Sequence, residues 1–131
     1  MFRLRGWVEV HPTENPEKVK AAVSRLFGNL EFKTEKLGEK LLLSFHSETR
    51  DCLSKFKRIV RQDMIRDAVR SHLKACITDG LLRFYLHKQV AFAGHVSLCE
   101  PEGESPLGPI TVEIEDENLH ELVNWLTEKN V

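Results

Sequence analysis

The sequence predicts an α+β fold: a mostly antiparallel or mixed sheet with helices packed on one face. Three observations lead there. Period-two apolar alternation recurs in short segments, three- and four-residue apolar spacing recurs between them, and neighbouring strands are joined mainly by hairpin-length turns. The predicted order is βαββααβββα, and 131 residues fit one domain, 1–131, with a core of its own.

Residues 2–11 alternate, with Phe2, Leu4, Val8 and Val10 on one side and Arg3, Arg5 and Glu9 on the other, as in a half-buried strand. Gly6 interrupts the pattern and marks a bulge or a close packing point. Asn15-Pro16 then opens a helix, Asn as N-cap and Pro in the first turn, and Val19, Ala22, Val23, Leu26 and Phe27 form its apolar stripe. Gly28-Asn29 stops it. Residues 30–34 and 40–46 read as a hairpin around a glycine-containing turn at Lys36–Glu39.

From Glu48 to Thr78 no Gly or Pro breaks a helix. The apolar phase nevertheless changes: Cys52, Leu53, Phe56, Ile59 and Val60 make one stripe, and Ile65, Val69, Leu73 and Cys76 another. A break at Arg61–Asp63 separates two helices, since one helix of about thirty residues far exceeds the usual length. Residues 81–87 and 95–99 read as strands, and 88–94 fits either a helical turn or continued strand. The Pro- and Gly-rich stretch 100–109 is a loop. Ile110, Val112 and Ile114 alternate with Thr111, Glu113 and Glu115 as a strand, after which Asp116 caps a closing helix carrying Leu119, Leu122, Val123, Trp125 and Leu126.

Composition excludes several classes. A hydrophobic content of 41% with 30% charged residues suits a globular domain. No apolar run approaches the roughly 20 residues that span a bilayer, and the N-terminus alternates instead of forming a signal-peptide core. The three cysteines are widely spaced among apolar neighbours, which reads as buried, reduced thiols in a cytoplasmic protein. The six histidines show no i, i+4 pair, and there is no CxxC, so no metal is expected. The glycines are isolated, which excludes phosphate-loop and dinucleotide fingerprints, and there is no GxSxG. These exclusions point to a non-enzymatic module without a cofactor.

The remaining signal is charge. Formal net charge is −1, yet Arg50–Lys88 holds ten Lys or Arg against four Asp, an excess of +6. From Glu100 onward nine acids face one Lys, an excess of −8. Arg66, Arg70 and Lys74, four apart, line one helical face, and Lys57 and Arg61 form a similar pair in the preceding helix. On the next strand Arg83, Tyr85, His87 and Lys88 offer cations beside an aromatic ring. Such an arrangement stacks unpaired bases and holds phosphates. The competing reading is intrahelical pairing of Asp63 with Arg66 and Asp67 with Arg70, which needs no ligand.

Four segments, HPTENPEKV (His11–Val19), RDCLSKFKRIVRQDMIRDAVRS (Arg50–Ser71), RFYLHKQVAFAGHVSL (Arg83–Leu98) and SPLGPITVEIE (Ser105–Glu115), together resemble an archaeal family of uncharacterised, predicted RNA-binding proteins. That family is similar in fold to the large-subunit ribosomal protein number five. The resemblance implies an α+β fold and RNA as partner, and brings no motif of functional residues with it. The expected contacts therefore rest on charge and spacing: Arg58, Arg61, Arg66, Arg70 and Lys74 on phosphates, with Arg83, Tyr85 and Lys88 for stacking and charge. This expectation requires them on one exposed flank, away from the acidic C-terminal third. The alternative is a protein-interaction or homodimerisation module whose acidic and basic faces meet across an interface.

Overall fold

The computed structural model describes residues 1–100 and 108–128, so most of the predicted 100–109 loop lies outside the described residues. The strands are β1 (Arg3–Val10), β2 (Glu31–Leu37), β3 (Lys40–Ser47), β4 (Ile77–Thr78), β5 (Leu81–Leu86), β6 (Leu98–Cys99) and β7 (Ile110–Glu115). The helices are α1 (Pro16–Leu26), α2 (Ser54–Gln62), α3 (Arg66–Ala75), α4 (Lys88–Phe92) and α5 (Leu119–Leu126), and a 3-10 turn at Arg50–Leu53 leads into α2. The predicted order is present, with the two-residue β4 and the five-residue α4 inserted. Residues 88–94 thus open as a helix, and the strand expected at 95–99 shrinks to Leu98–Cys99.

One antiparallel sheet of order β2-β3-β1-β7-β5-β4 results, with β6 sharing the outer edge of β5. The β2–β3 hairpin closes through two residues, the first being Gly38 at φ +65°, where a Cβ would be strained. Register then decides the faces. Leu4, Gly6 and Val8 lie level with Ile114 and Val112 on β7 and with Phe45 and Leu43 on β3, and Leu82, Phe84 and Leu86 continue the same face on β5. All five helices cover this face. Phe27 at the end of α1 stacks on Phe45 and on Phe56 of α2, and Phe56 meets Phe84, at centroid distances of 6.0, 5.6 and 6.0 Å.

Local chemistry sets the helix ends. Asn15 Oδ1 accepts from the Glu17 amide at 2.9 Å with Pro16 beside it, as the sequence suggests. The last helix differs from expectation: Asn118, not Asp116, caps α5 by accepting from the Glu121 amide at 3.0 Å. Asp116 bonds instead to the next amide, that of Glu117, and to Arg50. The break between α2 and α3 falls at Asp63–Ile65, where Met64 takes φ +58° and is 88% exposed. A change in apolar phase is satisfied there by turning the chain, because each stripe must reach the same core.

Lys88 corrects the sequence reading. Its side chain is 0% exposed and cannot offer charge to an outside partner. Its ammonium donates to the Glu9 carbonyl at 2.7 Å and to Glu14 Oε1 at 3.1 Å, joining α4 to the α1 approach and β1. Burial pulls the Lys88 pKa down, against the opposing effect of Glu14. Removing either partner strands a charge.

Two substitutions test this packing. A Cβ on Gly6 would lie 2.6 Å from the Thr111 carbonyl oxygen and closer still to the Phe45 ring. Gly6→Ala should therefore destabilise by about 1–3 kcal/mol in urea unfolding, although alanine in an open strand would be neutral or better. Lys88→Met should cost about 3–5 kcal/mol, and Lys88→Met with Glu14→Gln should recover part of it. Additive losses in the double variant would show that the pair is not coupled.

Candidate functional site

The predicted contact residues do not share one surface. Alternation on β5 places Arg83 and Tyr85 on the sheet face opposite the helices, whereas Arg58, Arg61, Arg66, Arg70 and Lys74 belong to the helical layer. The expectation of one continuous flank is thus corrected by strand parity.

The acidic C-terminal third is not set apart either. Arg50 pairs with Asp116 at 3.0 Å and Glu121 at 3.3 Å, and Lys57 with Glu128 at 2.7 Å. Both cations also lie over the Trp125 ring, at 5.2 and 4.4 Å. Arg70 donates to Thr127 Oγ1 at 3.0 Å and to its carbonyl at 2.8 Å, and pairs with Asp67 at 3.9 Å. Arg66 reaches the Glu128 carbonyl at 3.4 Å. Asp63, expected to pair with Arg66, instead accepts His95 Nδ1 at 2.8 Å. The α2–α3–α5 edge is therefore a region of internal compensation.

Cations remain uncompensated on the other side of α2. A groove of about 550 Å³ between α1 and α2 is lined by Ser24, Arg25, Lys55, Arg58 and Gln62 among others, with no carboxylate among the described residues of its lining. Lys55 donates to the Ser24 carbonyl at 2.9 Å, which fixes its ammonium without neutralising it. Arg25 shares the groove wall with Gly94, and no ion pair is formed by Arg25 or Arg58 among the described residues. Arg61 stands one turn on from Arg58 and lines the neighbouring hollow at the α2–α3 bend with Met64 and Arg66. Arg25 escaped the sequence reading because it lies in α1, outside the basic segment; only the packing of α1 on α2 brings it beside Arg58.

On the opposite face, Glu113 is buried between two guanidinium groups. Its side chain is 1% exposed; Arg5 Nε donates to Oε1 at 2.9 Å and Arg83 Nε to Oε2 at 2.5 Å. That bond raises the Arg83 pKa still further. Arg5 and Trp7, missed as site residues, share the odd parity of β1 with Arg3 and Glu9, which was the available signal. Among the described residues no group of three or more His, Cys, Asp or Glu side chains is placed to hold a metal. No disulfide joins the cysteines among the described residues, and burial pushes the Cys52 thiol up to about 11, far from a nucleophile's range. No helix among the described residues is long and apolar enough to cross a membrane.

Comparison with known proteins agrees with the architecture. A UPF0201 protein of Metallosphaera sedula is 39% identical over 126 residues, covering 96% of this chain and 87% of the relative. A UPF0201 protein of Methanopyrus kandleri is 39% identical over 131 residues, covering 93% and 82%. The crystal structure of the UPF0201 protein from Methanococcus jannaschii matches with a TM-score of 0.86 at 26% identity, over 96% of this chain and 99% of that one. A DUF54 protein from Methanothermobacter thermautotrophicus, at 19% identity and a TM-score of 0.65 over 96% and 97% of the two chains, shares the fold. A family model described as RNA binding matches residues 3–115. With the one-sided antiparallel sheet, these matches establish that the chain belongs to the archaeal UPF0201 family and to the family whose model is described as RNA binding.

Proposed function

We propose that the chain is a non-enzymatic RNA-binding module that holds the phosphate backbone in the groove between α1 and α2. The observation that carries this reading is the set of Arg25, Lys55 and Arg58 in a groove lined by no carboxylate among the described residues, while the cations nearer α5 are compensated within the chain. Net charge gives little steering at −1, so the local field of these three side chains, with Arg61 beside them, supplies the attraction. The family description points to the same partner.

Of the contacts expected from the sequence, Arg58 and Arg61 keep their proposed role, Arg66 and Lys74 are not in the groove's lining, and Arg70 serves the α3–α5 contact. The competing dimer reading loses its motive, since acidic and basic segments already meet inside one chain.

Anisotropy of a labelled RNA hairpin tests this at two salt concentrations. Affinity should fall with salt, with a log–log slope of about −0.9 per phosphate contact on a duplex. Arg25→Gln with Arg58→Gln should flatten the slope by about 2 and weaken binding at low salt, while Lys74→Gln should change little. No binding at low salt, or binding indifferent to salt, would remove the proposal.

A further inference from the structure

Among the described residues no helix covers the sheet face turned away from the helical layer, and its register builds two side-chain rows. One row runs Lys33, Ser44, Trp7, Thr111, Tyr85 across β2, β3, β1, β7 and β5. The adjacent row runs Glu31, His46, Arg5, Glu113, Arg83 across the same strands. Small side chains flank the indole of Trp7 on both neighbouring strands, leaving hollows of about 470 and 560 Å³ that share Trp7 and Ser44. Trp7 and Tyr85 stand two strands apart, about 10 Å at ordinary strand spacing, with Thr111 between them. Glu113 is enclosed by Arg5 and Arg83, so its charge is met locally, and Lys33 adds a further cation at the rim of the larger hollow.

We infer that this face binds unpaired bases of single-stranded RNA. Trp7 and Tyr85 are the stacking platforms, and Arg5, Arg83 and Lys33 hold the adjoining phosphates. This rests on the RNA reading above and adds a second site to it, on the opposite side of the molecule from the α1–α2 groove. Stacking needs bases free of a duplex, which selects single strands. The Glu113 clamp preorganises the site: it holds both guanidinium groups beside the aromatic row before a ligand arrives. A second copy of the chain fits less well, because the centre of a protein interface is depleted in charged residues, whereas the Arg5–Glu113–Arg83 cluster occupies the middle of this face.

The test uses the full chain carrying Trp125→Phe, which leaves Trp7 as the one remaining tryptophan of two. Single-stranded oligouridylate and a blunt RNA duplex are titrated while Trp7 emission and the anisotropy of labelled RNA are both read. The single strand should quench Trp7, and the duplex should bind without doing so. Trp7→Leu and Tyr85→Leu should each weaken the single strand about tenfold and leave duplex affinity unchanged. Single-strand binding by anisotropy with unchanged Trp7 emission, and no loss in either variant, overturns the inference while leaving the groove reading intact. Absence of binding to both RNAs at low salt overturns both. Trp7 quenching on raising protein concentration without RNA, with doubled mass by light scattering, overturns it in favour of a second copy.

Discussion

In this sheet Leu43 and Phe45 of β3, Leu4 and Val8 of β1, Ile110, Val112 and Ile114 of β7 and Leu82, Phe84 and Leu86 of β5 point one way, and hydrophobic burial therefore holds the helices on that side. Among the described residues no helical layer covers the other face. Whatever polar and aromatic side chains occupy the odd positions of β1, β5 and β7 must form a surface by themselves, which explains why Glu113 is buried without a helix above it. Arg5 and Arg83 close over its carboxylate from the two flanking strands, and Trp7 and Tyr85 do the same for Thr111. Gly6 makes this possible from beneath, since the Phe45 ring and the Thr111 carbonyl leave no room for a Cβ.

The second consequence concerns charge. Strand β7 is central and α5 follows it, so the acidic end of the chain is carried back onto α2 and α3. A strongly basic segment is thereby neutralised along one edge by its own C-terminal partners. Trp125 sits under two of those cations. Such exposed pairs add little stability individually. Their larger effect is to decide which cations remain available: those facing α1.

The fold was largely legible because period-two and helical spacings are local signals, and the capping Asn15 and the phase change after Val60 are local too. Short elements were not. β4 and α4 are a few residues long, and α4 exists to bring Lys88 under β1, a long-range pairing with Glu14 that no spacing rule reveals. The proposed site was half legible. Charge counting singled out Arg58 and Arg61, whose role is a proposal, yet sequence proximity wrongly joined Arg83 and Tyr85 to the helices, since parity sends them through the sheet. Arg25, Arg5 and Lys33 lie far from the basic segment and become neighbours of it, or of Glu113, only through packing and register.

Amide and side-chain chemical shifts of the labelled protein, followed during titration with an RNA carrying a duplex and a single-stranded tail, test the assignment of faces most directly. The account predicts that signals of Arg25, Lys55 and Arg58 and of the Trp7 indole move together with saturation, while Arg70, Thr127 and the rest of the α3–α5 edge stay still. Shifts concentrated on the α3–α5 edge, with the α1–α2 groove and Trp7 unmoved, would contradict it.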